Sequence, residues 1–304
     1  MTPLRRVAAV VVTYNRRELL AECIACLRAQ RGAECEILVV DNASTDGTAE
    51  LLREQAGPDL TVHTADRNLG GAGGFALGAD LAVQAGYDAL WLMDDDTLPE
   101  PDALSALLAA AGALPAFGWL SSRAVDREGR DQPMNRQRKT PYRDIDGFDA
   151  RGGAPVPSVM ASFVSLFLPA ETVRRFGLPI AEFFIWSDDW EYTRRISRAL
   201  PCYTVPQSVV VHAMNRSSVV SIAQDTAERL PRYRFFYRND VVLYRREGLA
   251  GWAWLLLKDA WHTAQVVLSR CPDKGRRIGI VWRGFAAGVR FRPRIRFPGG
   301  RPGV

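Results

Sequence analysis

Two hydrophobic periods alternate along the first third of the chain. Short aliphatic and β-branched runs, VAAVVVTY (7–14), EILVV (36–40), TVHTA (61–65) and ALWLM (89–93), read as strands. Each is followed by apolar residues at helical spacing: RRELLAECIACLRAQ (16–30), TAELLREQ (48–55), GGFALGADLAVQAGY (73–87) and PEPDALSALLAAAG (99–112). Ser44 or Thr45 is placed to cap the second of these helices. Repeated βα units predict a parallel sheet with helices on both faces. Ligands of such sheets bind outside the carboxyl ends of the strands. The polar clusters TYN, DNASTDG, DRNLGGAGG and DDD all fall on that edge.

The pattern then loosens. Residues 127–157 are polar, basic and turn-rich, and read as a long surface loop. VMASFVSLFLPA (159–170), CYTV (202–205) and SVVVHAM (208–214) regain strand character. FFIWSDDWEYTRRISRAL (183–200) runs from aromatic residues into a helix, and the chain beyond 215 is helical and aromatic-basic.

The chemistry sits at the breaks. Asp94, Asp95 and Asp96 end an apolar strand. With side chains alternating, Asp94 and Asp96 would face one way and Asp95 the other. Two carboxylates on one side suit a hard cation such as Mg²⁺ or Mn²⁺, although a solvated turn is the plainer reading. His212, after three valines, is either a core residue or a third ligand. The glycines of DRNLGGAGGF let backbone approach a ligand, and the helix after them offers N–H groups to an anion. GAGGFA also fits a dinucleotide fingerprint, but it follows the third strand and not the first. In WSDDWEYTRR, Asp188 and Asp189 open a helix whose dipole favours their ionised form, which accepts protons. Glu191 with Arg194 or Arg195 reads as a helix-surface ion pair.

Composition narrows the picture further. The chain has 304 residues, 47% hydrophobic and 24% charged, an ordinary globular balance. Residues 271–304 hold nine Lys/Arg and one Asp, a net +8 against +5 for the whole, so residues 1–270 carry −3. The basic character belongs to the tail, which argues against nucleic acid as a partner. Five cysteines form no framework, and the Cys23–Cys26 pair lies within a helical pattern, which fits free thiols in a reducing compartment. Neither a signal peptide nor an apolar run of about 18 residues is evident. Trp254, Leu257, Trp261, Ala264 and Leu268 fall on one helical face beside the basic tail. That face reads either as a helix lying on anionic lipid or as core or dimer packing.

Taken in order, VVVTYNR, VVDNASTDGT, DRNLGGAGGF, LMDDDTLPEPDAL and FFIWSDDWEYTRRI resemble the family-2 glycosyltransferases, over roughly residues 5–245. The RNLGGAGGF and WSDDWEY forms look most like the bacterial galactofuranosyl- and rhamnosyltransferase branch. The resemblance implies an α/β fold of GT-A type, a nucleotide-binding mixed sheet with helices on both faces, over residues 1–225. A C-terminal helical, basic and membrane-associating segment would cover 226–304. It implies that Thr13, Tyr14, Asn15 and Asp41 hold the donor nucleoside, with Asp95 in the same donor site. Asp66, Arg67, Asn68 and Gly71 would line the nucleotide and sugar pocket. Asp94, Asp96 and His212 would hold Mn²⁺ or Mg²⁺, Asp189 would be the general base, Asp188 would contact sugar and Trp186 would shape the acceptor site. The expected enzyme is inverting and moves a sugar from UDP-galactofuranose, or else dTDP-rhamnose, to a glycan or lipid-linked hydroxyl of the cell envelope. It would be cytoplasmic, peripheral on the inner face of the membrane. A nucleotidyltransferase and a non-catalytic nucleotide-sugar binder are the alternatives. The former lacks a basic, glycine-rich loop after the first strand, where TYNRREL stands.

Overall fold

The chain runs β1 (Val7–Thr13), α1 (Arg17–Arg28), β2 (Glu36–Asp41), α2 (Thr48–Glu54), β3 (Leu60–Thr64), α3 (Gly70–Gln84), β4 (Ala89–Asp94), β5 (Thr97–Pro99), α4 (Ala103–Ala113) and β6 (Leu120–Val125). Then come β7 (Arg138–Thr140), β8 (Arg143–Asp144), β9 (Val156–Pro157), β10 (Leu166–Pro169), α5 (Ala170–Phe176), α6 (Asp188–Ser197), β11 (Tyr203–His212), α7 (Tyr233–Tyr244), α8 (Gly248–Leu268) and α9 (Lys274–Arg290). This is a computed structural model and it describes residues 4–148, 153–214 and 221–300.

One sheet has the order β3-β2-β1-β4-β10-β6-β11-β5, with β9 beside β11. The first four strands are parallel, as the repeated βα pattern predicts. The sheet becomes mixed at β10, which is antiparallel to both β4 and β6. Every residue of β1 is buried. Val7, Ala9 and Val11 pack with Leu20 and Ile24 of α1 and Leu104 and Leu107 of α4. Ala8, Val10 and Val12 pack with Phe75 and Ala79 of α3 on the opposite face. A strand covered on both sides reads as a continuous apolar run, which is why β1 and β4 were legible.

Three expectations are corrected. CYTV and SVVVHAM are one strand, β11, whose pairing with β6 slips between Val205 and Val209. Pro206 falls in that interval and has no N–H for the ladder. Of the stretch 127–157, residues 149–152 lie outside the described residues, and the described remainder is not simply a surface loop. Gln132, Asn135, Gln137 and Ile145 are buried, and Ile145 N donates to the Gln137 carbonyl at 2.9 Å. Neither Ser44 nor Thr45 caps α2. The cap position is Gly47, and Asp46 before it accepts from Thr48 Oγ1 at 2.6 Å and Thr48 N at 3.2 Å.

The last three helices pack on the α3 side of the domain. Val242 of α7 meets Ala72, Ile180 and Phe183, and Leu178 N donates to the Arg296 carbonyl at 2.8 Å. Helix α8 is turned inside out. Its charged residues Lys258 and Asp259 face inward, with Asp259 fully buried. Leu249 (89% exposed), Leu257 (70%), Trp261 (62%) and Leu268 (82%) face outward. No described helix is long and apolar enough to cross a membrane.

Candidate functional site

The carboxyl ends of β1, β2 and β4 meet in a polar network. Thr13 closes β1, and its Oγ1 donates to Asp95 Oδ2 at 2.8 Å. The Arg16 guanidinium reaches Asp95 Oδ1 at 3.2 Å and also contacts Asp96. Asp41 closes β2 and accepts from Ser44 N at 3.0 Å. Asn15, with a left-handed backbone, accepts from Thr45 N at 2.7 Å, and its own N–H donates to Ser44 Oγ at 3.0 Å. Tyr14 stands between these groups, 44% exposed, its ring open to solvent. Arg16 was not singled out from the sequence. Its role depends on a contact spanning some 80 positions, which no local pattern announces.

Asp94 ends β4, and Asp95 and Asp96 form the turn into β5. His212 ends β11 and pairs in register with Thr97 of β5, which sets it beside Asp96. One potential ligand atom each from Asp94, Asp96 and His212 lie within 4.8 Å of one another. It is the one such cluster of metal-ligating residues among the described residues. His212 Nδ1 lies 2.7 Å from Asn135 Oδ1, an acceptor, so the ring proton belongs on Nδ1 and the Nε2 lone pair is free. That Nε2 stands 3.1 Å from Asp96 Oδ1, a buried oxygen with no aligned hydrogen-bond donor. Two acceptors facing each other across a gap lined by Asp94 suit a small cation. Asn135 is the second residue missed in the sequence, where it sits in a polar stretch.

Charge is distributed unevenly over the three acids. Burial, with the Asp96 charge adding to it, pushes Asp94 up to about 7. Burial likewise raises Asp95 to about 6, against the pull of Arg16. Burial opposes the charge on Asp96 too, but His212, where a proton rather than a cation sits on its Nε2, and Arg16 outweigh it and hold that carboxyl below the usual range.

On the α3 side, the glycines divide their work. Gly74 and Gly78 lie against Val12 and Val10, where any side chain would collide, so they seat α3 close on β1. Gly70, at φ +72, lies against the Phe184 carbonyl, and Gly71 faces open space. The N–H groups at this helix start are partly used. Gly70 N donates to Asn68 Oδ1 at 2.7 Å and Ala72 N to Phe184 O at 3.2 Å. The expectation of a free N-terminus for an anion is corrected to that extent. Asp66 and Arg67 lie exposed on the turn between β3 and α3.

The Phe184 carbonyl belongs to the loop leading into α6. Trp186 of that loop packs edge-on against Tyr233 (5.0 Å between centroids) and Phe236 (5.9 Å). Asp188 and Asp189 are the first two residues of α6. Asp189 Oδ1 accepts from Trp190 N at 2.7 Å. Burial works against the helix dipole that was expected to favour the ionised pair. Burial raises Asp188 to about 6. Burial, then Asp188, then the Asp94 charge push Asp189 well above the carboxylate range. Glu191 is not a surface acid either. It is buried, pairing with Arg195 at 2.7 Å and with Arg246, while Arg194 pairs with Glu247 at 2.8 Å.

Comparison with known proteins bears on the family and the fold. Residues 8–165 match the model of the family described as Glycosyl transferase family 2. The chain is 32% identical over 263 residues to the galactofuranosyltransferase GlfT1 of Mycolicibacterium smegmatis, covering 82% of this chain and 86% of that protein. Its fold resembles GalNAc-T7 solved with UDP, GalNAc and Mn²⁺, at TM-score 0.60 and 16% identity, over 79% of this chain and 48% of that one. It also resembles the mannosyltransferase PcManGT of Pyrobaculum calidifontis, solved with GDP-Man and Mn²⁺, at TM-score 0.53 and 19% identity, over 94% of this chain and 76% of that one.

Proposed function

Because the chain belongs to glycosyltransferase family 2, with the GT-A architecture, we propose that it is an inverting, metal-dependent transferase of galactofuranose from UDP-galactofuranose to a hydroxyl of an envelope glycan or lipid-linked acceptor. Membership of this family sets aside the nucleotidyltransferase reading. The donor choice rests on the galactofuranosyltransferase relative, and dTDP-rhamnose is the donor to test against it.

The observation that carries the mechanism is the convergence of Asp94, Asp96 and His212, whose potential ligand atoms lie within 4.8 Å of one another. The contact of Gly70 with the Phe184 carbonyl, in the loop leading into Asp188 and Asp189, supports a base on the same side of the sheet edge. Asp94, Asp96 and His212 would hold Mn²⁺ or Mg²⁺, which fits the free Nε2 and the orphaned Asp96 Oδ1. The bound ion supplies charge neutralisation to a departing nucleoside diphosphate. Arg16 and Thr13 fix Asp95, which braces the turn beneath the cluster. Tyr14, Asn15 and Asp41 border the nucleoside, and Asp66, Arg67, Asn68 and Gly71 the remainder of the donor. Asp189 has one oxygen engaged by Trp190 N, so the other accepts the acceptor's hydroxyl proton. The oxygen so freed attacks the anomeric carbon from the face opposite the diphosphate, and configuration inverts. A carboxyl with a raised pKa is a better proton acceptor near neutrality than an ordinary one. Asp188 contacts sugar beside it, and Trp186 supplies an aromatic wall for the acceptor.

We divide the chain into this domain (1–225) and a helical appendage (226–304) that rests on an anionic membrane. The inverted helix α8 offers the apolar face, and exposed Arg270, Lys274, Arg276 and Arg283 offer charge complementarity. All five cysteines are free thiols, which suits the cytoplasmic side. The deciding experiment presents a panel of nucleotide sugars with and without Mn²⁺. Transfer from UDP-galactofuranose that EDTA abolishes supports the reading, and transfer indifferent to EDTA removes the metal from it.

A further inference from the structure

We infer that Asn239 and Asp240 of α7 are positioning residues for transfer, clamping the strained loop that aims the Asp188–Asp189 pair. The inference rests on the transferase reading above.

The loop is held in a shape its residues do not choose. Phe184 (φ 66), Trp186 (φ 66) and Ser187 (φ 64) all have left-handed backbone, and none is glycine. Side chains at such positions crowd their own backbone, so this conformation persists only where surroundings over-determine it. They do so here from three sides. Asn239, fully buried, donates through Nδ2 to the carbonyls of Phe183 (3.1 Å), Ile185 (3.1 Å) and Trp186 (2.9 Å). Asp240 accepts from Ser187 Oγ at 2.5 Å through Oδ1, and its Oδ2 pairs with Lys258 of α8. On the far side Ala72 N holds the Phe184 carbonyl. The residue after this clamp is Asp188. A relaxed loop would swing the start of α6, and with it both acids and Trp186.

The clamp is thus a mechanical linkage from α7 and α8 to the acids at the start of α6. A purely structural role predicts that its loss lowers stability and leaves the turnover of folded protein unchanged. A positioning role separates the two.

The test is Ser187→Gly, which deletes the hydroxyl held by Asp240 while giving the left-handed position the residue that suits it. The expected result is a melting temperature equal to or above that of the wild type, an unchanged UDP–Mn²⁺ dissociation constant, and a kcat reduced tenfold or more. A second pair of variants controls for the buried charges. Asp240→Asn/Lys258→Met keeps an acceptor for Ser187 and should turn over within about threefold of wild type. Asp240→Leu/Lys258→Met lacks it and should lose kcat as Ser187→Gly does. Wild-type transfer undiminished in Ser187→Gly and in the Leu/Met variant overturns the inference alone. No transfer by the wild-type chain from any nucleotide sugar overturns the transferase reading and this inference with it.

Discussion

Asn135 and His212 stand 2.7 Å apart, Oδ1 to Nδ1, although 77 positions separate them in the chain. The contact orients the imidazole so that Nε2 faces Asp94 and Asp96. Removing such a partner typically weakens metal affinity 10- to 100-fold. Asn135→Leu is therefore expected to weaken Mn²⁺ binding by about that factor, with the far-ultraviolet circular dichroism of the folded chain preserved. Calorimetric titration with Mn²⁺ reads the outcome.

On the proposed reading, a cation and a proton would compete for Asp94. Its carboxyl is pushed up to about 7 by burial and by Asp96, so it is protonated below that pH and binding must expel the proton. Mn²⁺ is expected to raise the melting temperature more at pH 8 than at pH 6. Asp94→Asn is expected to abolish both the shift and its pH dependence, as differential scanning fluorimetry would show.

As the proposed general base, Asp189 would have to lose its proton before it could take one. Its carboxyl is raised well above the ordinary range by burial and by Asp188, itself near 6. Turnover therefore rises with pH as the pair ionises, and the acid limb of the kcat profile belongs at or above about pH 6, not near 4. Asp189→Asn is expected to retain UDP–Mn²⁺ affinity and lose about 10²- to 10⁴-fold in kcat. Single-turnover transfer beside equilibrium binding separates the two effects.

The outer face of α8 is expected to carry membrane binding. Leu257→Glu/Trp261→Glu changes two side chains that are 70% and 62% exposed, so the fold should be unaffected. Sedimentation with vesicles containing anionic lipid is expected to capture the wild type and not the variant, and to weaken as salt rises. Recovery of the variant with the vesicles would move the membrane contact elsewhere.

Much of this was legible because each motif falls where an apolar strand stops. The end of β4 delivers Asp94, and the end of β11 delivers His212, from sequence pattern alone. What was illegible depended on burial and on distant partners. Polarity marked Asn135 as surface, whereas its amide is spent on His212 and on Ser162 at 3.1 Å. A helix start implied ionised Asp188 and Asp189, whereas their enclosure, which works against the dipole, could not be seen in the sequence. In α8 the spacing of Trp254, Leu257 and Trp261 was visible, but the direction each faces was not. Asp240 draws Lys258 inward and Trp254 packs against Tyr142 and Tyr244, while Leu257 and Trp261 are left outside.

The contact of Gly70 with the Phe184 carbonyl ties together two stretches more than a hundred residues apart. No larger amino acid fits at position 70 unless the aromatic segment retreats, and that segment leads directly into the acids of α6. Substitutions around one stretch are therefore viable mainly alongside compensating changes in the other. Across homologues the two should drift as a unit, and grafting either one alone between relatives should yield an inactive hybrid.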